Sequence, residues 1–133
     1  MAEVEYIHVC DYAFQAEGGK ACIIGIFSQI NAAEFPATHP HMVIAVQLRG
    51  QPHEVIPVRI AIERPDGEEL LAADGQVSAG ADGGAFINFN LLSIQFPEPG
   101  RYTVKVLSAE RPLATLSFHA RRIQQVEPPA VTH

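Results

Sequence analysis

Apolar and polar residues alternate with a period of two along most of the chain, the pattern of strands half-buried against a core. The clearest stretch runs from Pro99 to Phe118. Tyr102, Val104 and Val106 share one face there and Arg101, Thr103 and Lys105 the other. After Ala109-Glu110-Arg111-Pro112, a second strand from Leu113 to Arg121 sets Leu116 and Phe118 against Thr115, Ser117 and His119. The two predict an antiparallel hairpin. Pro99-Gly100 ahead of it suits the centre of a type II turn, because proline fixes φ at about −65° and glycine accepts the positive φ that follows. A tyrosine just past such a turn is where an immunoglobulin-like sandwich keeps its corner tyrosine, hydroxyl bonded to nearby backbone, and Tyr102 fits that role.

The same alternation predicts strands upstream. Met42 to Arg49 turns Met42, Ile44, Val46 and Leu48 inward, and Val55 to Arg64 does so with Val58, Ile60 and Ile62. In Arg64-Pro65-Asp66-Gly67, Pro65 presets the second turn position and Gly67 takes the left-handed conformation, so Glu68 to Ala73 returns as the next strand. Four glycines make Asp74 to Gly84 read as a mobile loop with a short strand at Gln76 to Ser78. Ala85 to Ile94 buries Ile87, Phe89 and Leu91. The apolar phase then shifts to Leu92, Ile94 and Phe96, which predicts a bulge or bend.

Two early segments break the simple pattern. Val4 to Tyr12 sets Ile7 and Val9 against an almost equally apolar face of Val4, Tyr6, Cys10 and Tyr12. Lys20 to Asn31 is apolar on both sides and reads as a central, doubly covered strand, with Gly25 marking a bulge or close approach. Between them and the third strand, Ala32 to Pro40 reads as a loop crossing between sheets, with one helical turn capped by Asn31. A terminal strand apolar on both faces needs a cover, supplied either by that loop or by a second copy of the chain.

The expected fold is therefore all-β: a single-domain, antiparallel, immunoglobulin-like β-sandwich of about eight strands over residues 1–122, with a disordered tail over 123–133. A composition of 47% apolar and 18% charged residues in 133, with ten Gly and ten Pro, agrees with short elements joined by turns. A net charge of −6 disfavours nucleic acid and anionic membranes as partners. The charge is uneven: Arg101, Lys105, Arg111, Arg121 and Arg122 stand against Glu110 alone between 101 and 122. That reads as a solvated strand face that discourages edge pairing, with an anion or acidic-partner site as the alternative. The acidic start lacks the features of a secretion signal, and the longest apolar run, Ala21 to Phe27, is too short to span a bilayer, so a cytoplasmic location is expected. Cys10 and Cys22 then stay reduced. A first hairpin centred near Ala16 would set them opposite each other, which leaves a bridge open.

Val9-Cys10-Asp11-Tyr12, Gly19-Lys20 leading to Ile24-Gly25-Ile26-Phe27, Phe35-Pro36-Ala37 with His39-Pro40, Pro65-Asp66-Gly67 and Pro99-Gly100-Arg101-Tyr102 follow one another in an order that resembles a family of small bacterial proteins of unknown function. The resemblance runs from about Val4 to Ala120. It implies an immunoglobulin-like sandwich and a prokaryotic source, and brings no catalytic residues or ligands with it.

His39, His41 and His53 are the candidate metal ligands, since His-X-His in extended chain sets both rings on one side and a third histidine would complete a zinc face. The plain alternative is three solvated loop histidines. Cys10 with His8, or Cys22 with His119, lacks an orienting carboxylate for nucleophilic catalysis. Gly80-Ala81-Asp82-Gly83-Gly84 lacks the lysine and helix of a phosphate loop. No cofactor is expected. The residues singled out for structure are Pro65, Gly67, Gly100 and Tyr102. A non-enzymatic protein-binding or assembly module, with an unidentified protein partner or as a homodimer, is the favoured function; a metal or small-ligand role for the histidine loops is the second.

Overall fold

The period-two pattern becomes two facing sheets. The computed structural model describes residues 2–124, and these form nine strands and no helix. In chain order they are β1 (Glu3–Ala16), β2 (Lys20–Ile26), β3 (Gln29–Ala32), β4 (Ala37–Arg49), β5 (Val55–Glu63), β6 (Glu69–Ser78), β7 (Gly84–Phe96), β8 (Gly100–Ser108) and β9 (Arg111–Arg122). One sheet has the order β2-β1-β4-β7 and the other β3-β9-β8-β5-β6. All pairs are antiparallel except β3 with β9, where Gln29 lies beside His119 and Ile30 beside Ala120. The chain is thus an immunoglobulin-like sandwich whose first strands split between the two sheets.

The core lies between the inner faces. Met42, Ile44, Val46 and Leu48 of β4 meet Ile56, Val58, Ile60 and Ile62 of β5 and Val104 and Val106 of β8, all essentially inaccessible to solvent. At the β7 to β8 corner three rings interlock. Phe96 stands edge-on to Tyr102 and Phe118 at 5.0 and 5.8 Å between centroids, and Tyr102 stacks on Phe118. The Tyr102 hydroxyl donates to the Glu98 carbonyl at 2.6 Å and accepts from the Glu98 amide at 3.3 Å, which is the corner tyrosine that the turn implied. Burial holds its phenol above the usual pKa, so it remains a donor through the neutral range.

The β5 to β6 turn also forms as the sequence implied. Gly67 has φ 90°, its amide donates to the Arg64 carbonyl at 2.9 Å, and the Asp66 carboxylate accepts from the Glu68 amide at 2.9 Å. A side chain at Gly67 would meet open space, so the cost of adding one is conformational alone. Gly67→Val is expected to lower the unfolding free energy by about 1–2 kcal/mol, read from the urea midpoint. A midpoint equal to the parent's would reject the left-handed turn.

Several expectations are corrected. Gly100 has φ 143°, outside the type II turn, and glycine is needed there for a second reason: an added β-carbon would sit 2.6 Å from Cγ of Pro65. Pro65 and Gly100, singled out for separate turns, therefore touch. The segment from Asp74 is no loose loop. β6 runs through to Ser78, with Gly75 tucked beneath Ile87 and Phe89, and residues 79–84 are pinned by Gly80 to Gly84, Gly83 to Gly80 and Gly50 to Gly83 backbone bonds. The phase shift in β7 falls at Ser93, φ 51°, with the register to β4 unbroken on either side, so it is a local kink and not a bulge; Ile94 and Phe96 turn inward and Leu92 is left 72% exposed. Residues 33–36 switch sheets as a bend and not a helical turn, and β4 already begins at Ala37. The expected tail falls mostly on 125–133, outside the described residues. Ile123 still donates to the Ala32 carbonyl at 3.0 Å.

Candidate functional site

The largest departure from expectation lies in β1 and β2, where the sequence reading had two covered strands. From Glu3 to Cys10, β1 pairs with β4, and a register shift between Val4 and Tyr6 lets Val4, Ile7 and Val9 all pack toward the core. Past Cys10 it leaves β4 and pairs with β2 alone, Tyr12 beside Ile24 and Phe14 beside Cys22. The turn at the tip closes with the Gly19 amide on the Ala16 carbonyl, and Gly18 and Gly19 both have positive φ. At the base Gly25 has φ 72° and lies so close to the Asp11 side chain that a β-carbon there would collide with it. The result is a two-stranded arm.

The arm turns back over the outer face of the β4 sheet. On that face Val43 and Ala45 of β4 alternate with the core positions, and with Cys10 they form a second apolar cluster against which Ala13, Ile23 and Phe86 pack. The tip residues Gln15, Gly18 and Gly19 border a cleft of about 460 Å³ with Gln47, Gly84 and Phe86. The underside of the arm thus covers Cys10, Val43 and Ala45 completely. Its upper side is bare: Tyr12, Phe14 and Ile24 are 60, 47 and 52% exposed, and Ile26, beside Cys10 at the base, is 58% exposed. The two-sided apolarity of this region comes from one face covering the sheet and the other facing solvent. Neither a second subunit nor the Ala32 to Pro40 crossover is what covers Cys10.

The histidine set does not assemble. His39 sits against the Phe27 ring at 5.8 Å; His41 lies against Tyr12 at 5.4 Å, with Nε2 3.2 Å from Oδ1 of Asn90. His53 lies beyond the other end of β4, in a turn where its amide bonds Gly80. Eight residues from His41 to Arg49 alone amount to roughly 26 Å at about 3.3 Å per residue. Among the described residues no group of three His, Cys, Asp or Glu is placed to hold a metal ion.

Both cysteines are free. Because the hairpin turns at residues 17–19, Cys10 pairs with Ile26 and Cys22 with Phe14, leaving them four rungs apart, roughly 13 Å along the strands. The Cys10 thiol points at the Val43 carbonyl, 3.5 Å away, and burial with the neighbouring Asp11 carboxylate pushes its pKa up, the opposite of an activated nucleophile. On the basic hairpin four of the five cations are engaged locally. Lys105 pairs with Glu63 at 2.8 Å, Arg111 donates to the Ala2 carbonyl, Arg121 to Gln29, and Arg122 lies 6.0 Å over the Phe35 ring.

Residues 5–121 match the family described as a family of unknown function, DUF6941. The chain belongs to that family. No curated protein matches the sequence. Among solved structures, the alkylpurine DNA glycosylase AlkC of Pseudomonas fluorescens, bound to DNA containing an abasic site analog, is similar at 18% identity and a TM-score of 0.55 over 90% of this chain. This chain spans only 30% of the glycosylase. The C-terminal domain of Wzt is similar at 11% identity and a TM-score of 0.56, over 92% of this chain and 75% of that one. An immunoglobulin-like protein from Pseudomonas aeruginosa aligns at 17% identity and a TM-score of 0.46, over 91% and 97%. At these identities the likeness is one of fold.

Phe14 and Ile24 were not among the candidate residues of the sequence reading. A signal for them was present in Tyr12, Phe14, Ile24 and Ile26, which a hairpin turning at Gly18-Gly19 brings onto one face. Ending the first strand at Tyr12 hid it.

Proposed function

We propose that this protein is a non-enzymatic protein-binding or assembly module that presents the upper face of the β1–β2 arm to a protein partner. The observation that carries the reading is the exposure of Tyr12, Phe14 and Ile24 side by side on the arm, with Ile26 exposed at its base and no charged residue among them. Tyr12 and Phe14, flanked by the β-branched Ile24 and Ile26, make a contact surface of low side-chain ordering cost, and aromatics are enriched at the centres of protein interfaces. We place the protein in the bacterial cytoplasm, a reading supported by the family resemblance and by two cysteines held apart as thiols. No helix among the described residues is long and apolar enough to cross a membrane.

The test is capture from a lysate of the native host by the immobilised protein and by a Tyr12→Ser/Ile24→Ser variant, followed by cross-linking and mass spectrometry. The expected result is at least one protein held in stoichiometric amount by the parent, cross-linked to the arm, and lost with the variant. Equal capture by both, or cross-links confined to other faces, would overturn the reading.

A further inference from the structure

Four strands end the two sheets, and three of them carry features that discourage another chain from pairing there. β3 is four residues long, β2 begins with Lys20 and is turned at Gly25, and β6 carries Glu69 and Asp74. β7 is the exception. From Ala85 to Phe96 it has no charged residue and no proline, and among the described residues its backbone pairs with β4 alone. We infer that the free side of β7 takes a further strand: an extended segment of another protein, apolar at alternate positions and basic at its ends. This surface uses none of the exposed residues of the arm and goes beyond the reading given above.

The first argument is the backbone. An edge strand presents a row of unpaired N–H and C=O groups, and an extended chain is the partner that bonds such a row in register.

The second is the cleft beside the edge. Gly75 of β6 lies beneath Ile87 and Phe89, so the two strands close on each other there. Further along they part. A cleft of about 490 Å³ opens between them, with Leu70 and Leu71 on one wall and Leu91 and Ile94 on the other. Two local features shape it. A register shift after Ile62 lets Leu70 and Leu71 both pack at the rim of the core, and the kink at Ser93 brings Ile94 inward. Side chains of an added strand alternate between faces. The one beside Leu91 on the inner face falls over this cleft and has to be apolar, whereas its neighbours on the outer face, beside Asn90 and Leu92, are free to be polar.

The third is charge. Around the cleft, over residues 64–72 and 90–98, Asp66, Glu68, Glu69 and Glu98 stand against Arg64 alone. Arg64 is already shared among three of them, 3.3 Å from Glu98, 3.9 Å from Glu68 and 4.0 Å from Asp66. The other cations at this end of the sandwich do not offset the excess: Lys105 is 2.8 Å from Glu63, and Arg101 lies on β8, separated from β6 by β5. A basic segment is drawn to such a rim, while a second copy of this chain, with its net −6, is repelled.

The test uses the full chain and the fluorescein-labelled peptide Lys-Leu-Thr-Val-Thr-Leu-Lys, followed by anisotropy. Saturable binding is expected, with amide exchange slowed in residues 88–95. The amides of an added antiparallel strand point alternately toward its neighbour and away from it. Methylating one alternate set of peptide amides should therefore abolish binding, and methylating the other should leave it intact, although the side chains are the same in both. The peptide with glutamate at each end, and the exposed-rim variant Glu69→Lys, should each weaken binding about threefold to tenfold. Ile24→Lys, on the arm, should bind as the parent does. Absence of saturable binding, equal effects of the two methylated sets, an affinity unchanged by Glu69→Lys, or loss of binding in Ile24→Lys would each overturn the inference. A chain that ignores the peptide while its arm still captures another protein would sink this inference and leave the binding-module reading standing.

Discussion

Phe96→Ala is expected to lower the unfolding free energy by about 3–5 kcal/mol, the range for truncating a fully buried aromatic. Phe96 ends β7 in one sheet, yet its ring meets Tyr102 of β8 and Phe118 of β9 in the other. It is therefore the wedge that joins the two layers at this corner. Neither neighbour can swing into the space, because Tyr102 is tethered through its hydroxyl to Glu98 and Phe118 is stacked on Tyr102. Tyr102→Phe supplies the scale. It keeps the ring and removes one hydroxyl, leaving the Glu98 carbonyl without its donor, for about 1–2 kcal/mol. At a urea slope of about 1.5 kcal/mol per molar, the midpoints should fall by roughly 2–3 M and 1 M. A Phe96→Ala midpoint no lower than that of Tyr102→Phe would show that the corner is held by its hydrogen bond and not by its packing.

The parts of the fold legible in the sequence are those where one local rule decides. Alternation gave the inward faces of β4, β5 and β8 because each of these strands has one face on the core and the other turned away from it. The Arg64 to Gly67 turn and the Tyr102 corner were readable because proline, aspartate, glycine and tyrosine there act on backbone within four residues. What was not legible depends on contacts between distant segments. Gly75 looked like a loop residue, whereas it sits mid-strand, with Ile87 and Phe89 packed 3.1 and 3.4 Å from where a β-carbon would lie. His39 and His53 look close along the chain, but a long strand between them carries them to opposite ends of the sandwich. Lys20 to Asn31 looked like one central strand, yet its residues serve three surroundings: the covered outer face of a sheet, solvent, and the second sheet.

That last segment also explains why the candidate site was half-seen. An apolar run on both sides of a strand says that both sides need accounting for. It cannot say that the chain bends after Cys10 to cover one side with its own arm, because the bend rests on a single glycine in a conformation that alternation does not register.

Gly25→Val should therefore act on the arm before it acts on the sandwich. At φ 72° a β-branched residue opposes the left-handed backbone, at about 1–2 kcal/mol, and its β-carbon would collide with the Asp11 side chain. The core proper does not pass through Gly25, so the strain is relieved most cheaply by lifting the arm off Val43, Ala45 and Cys10. Cys10 reports that event, since it is wholly covered in the closed arrangement and its raised pKa keeps it a thiol at neutral pH. In a Cys22→Ser background, labelling of Cys10 by a thiol reagent is expected to be very slow in the parent and about tenfold or more faster with Gly25→Val, a tenfold change corresponding to about 1.4 kcal/mol of easier opening. The urea midpoint of the whole domain should move much less than with Phe96→Ala. Unchanged labelling would mean that the arm is not hinged at Gly25. A faster rate matched by an equal loss of global stability would mean that the arm is part of the core and not a separate device laid over it.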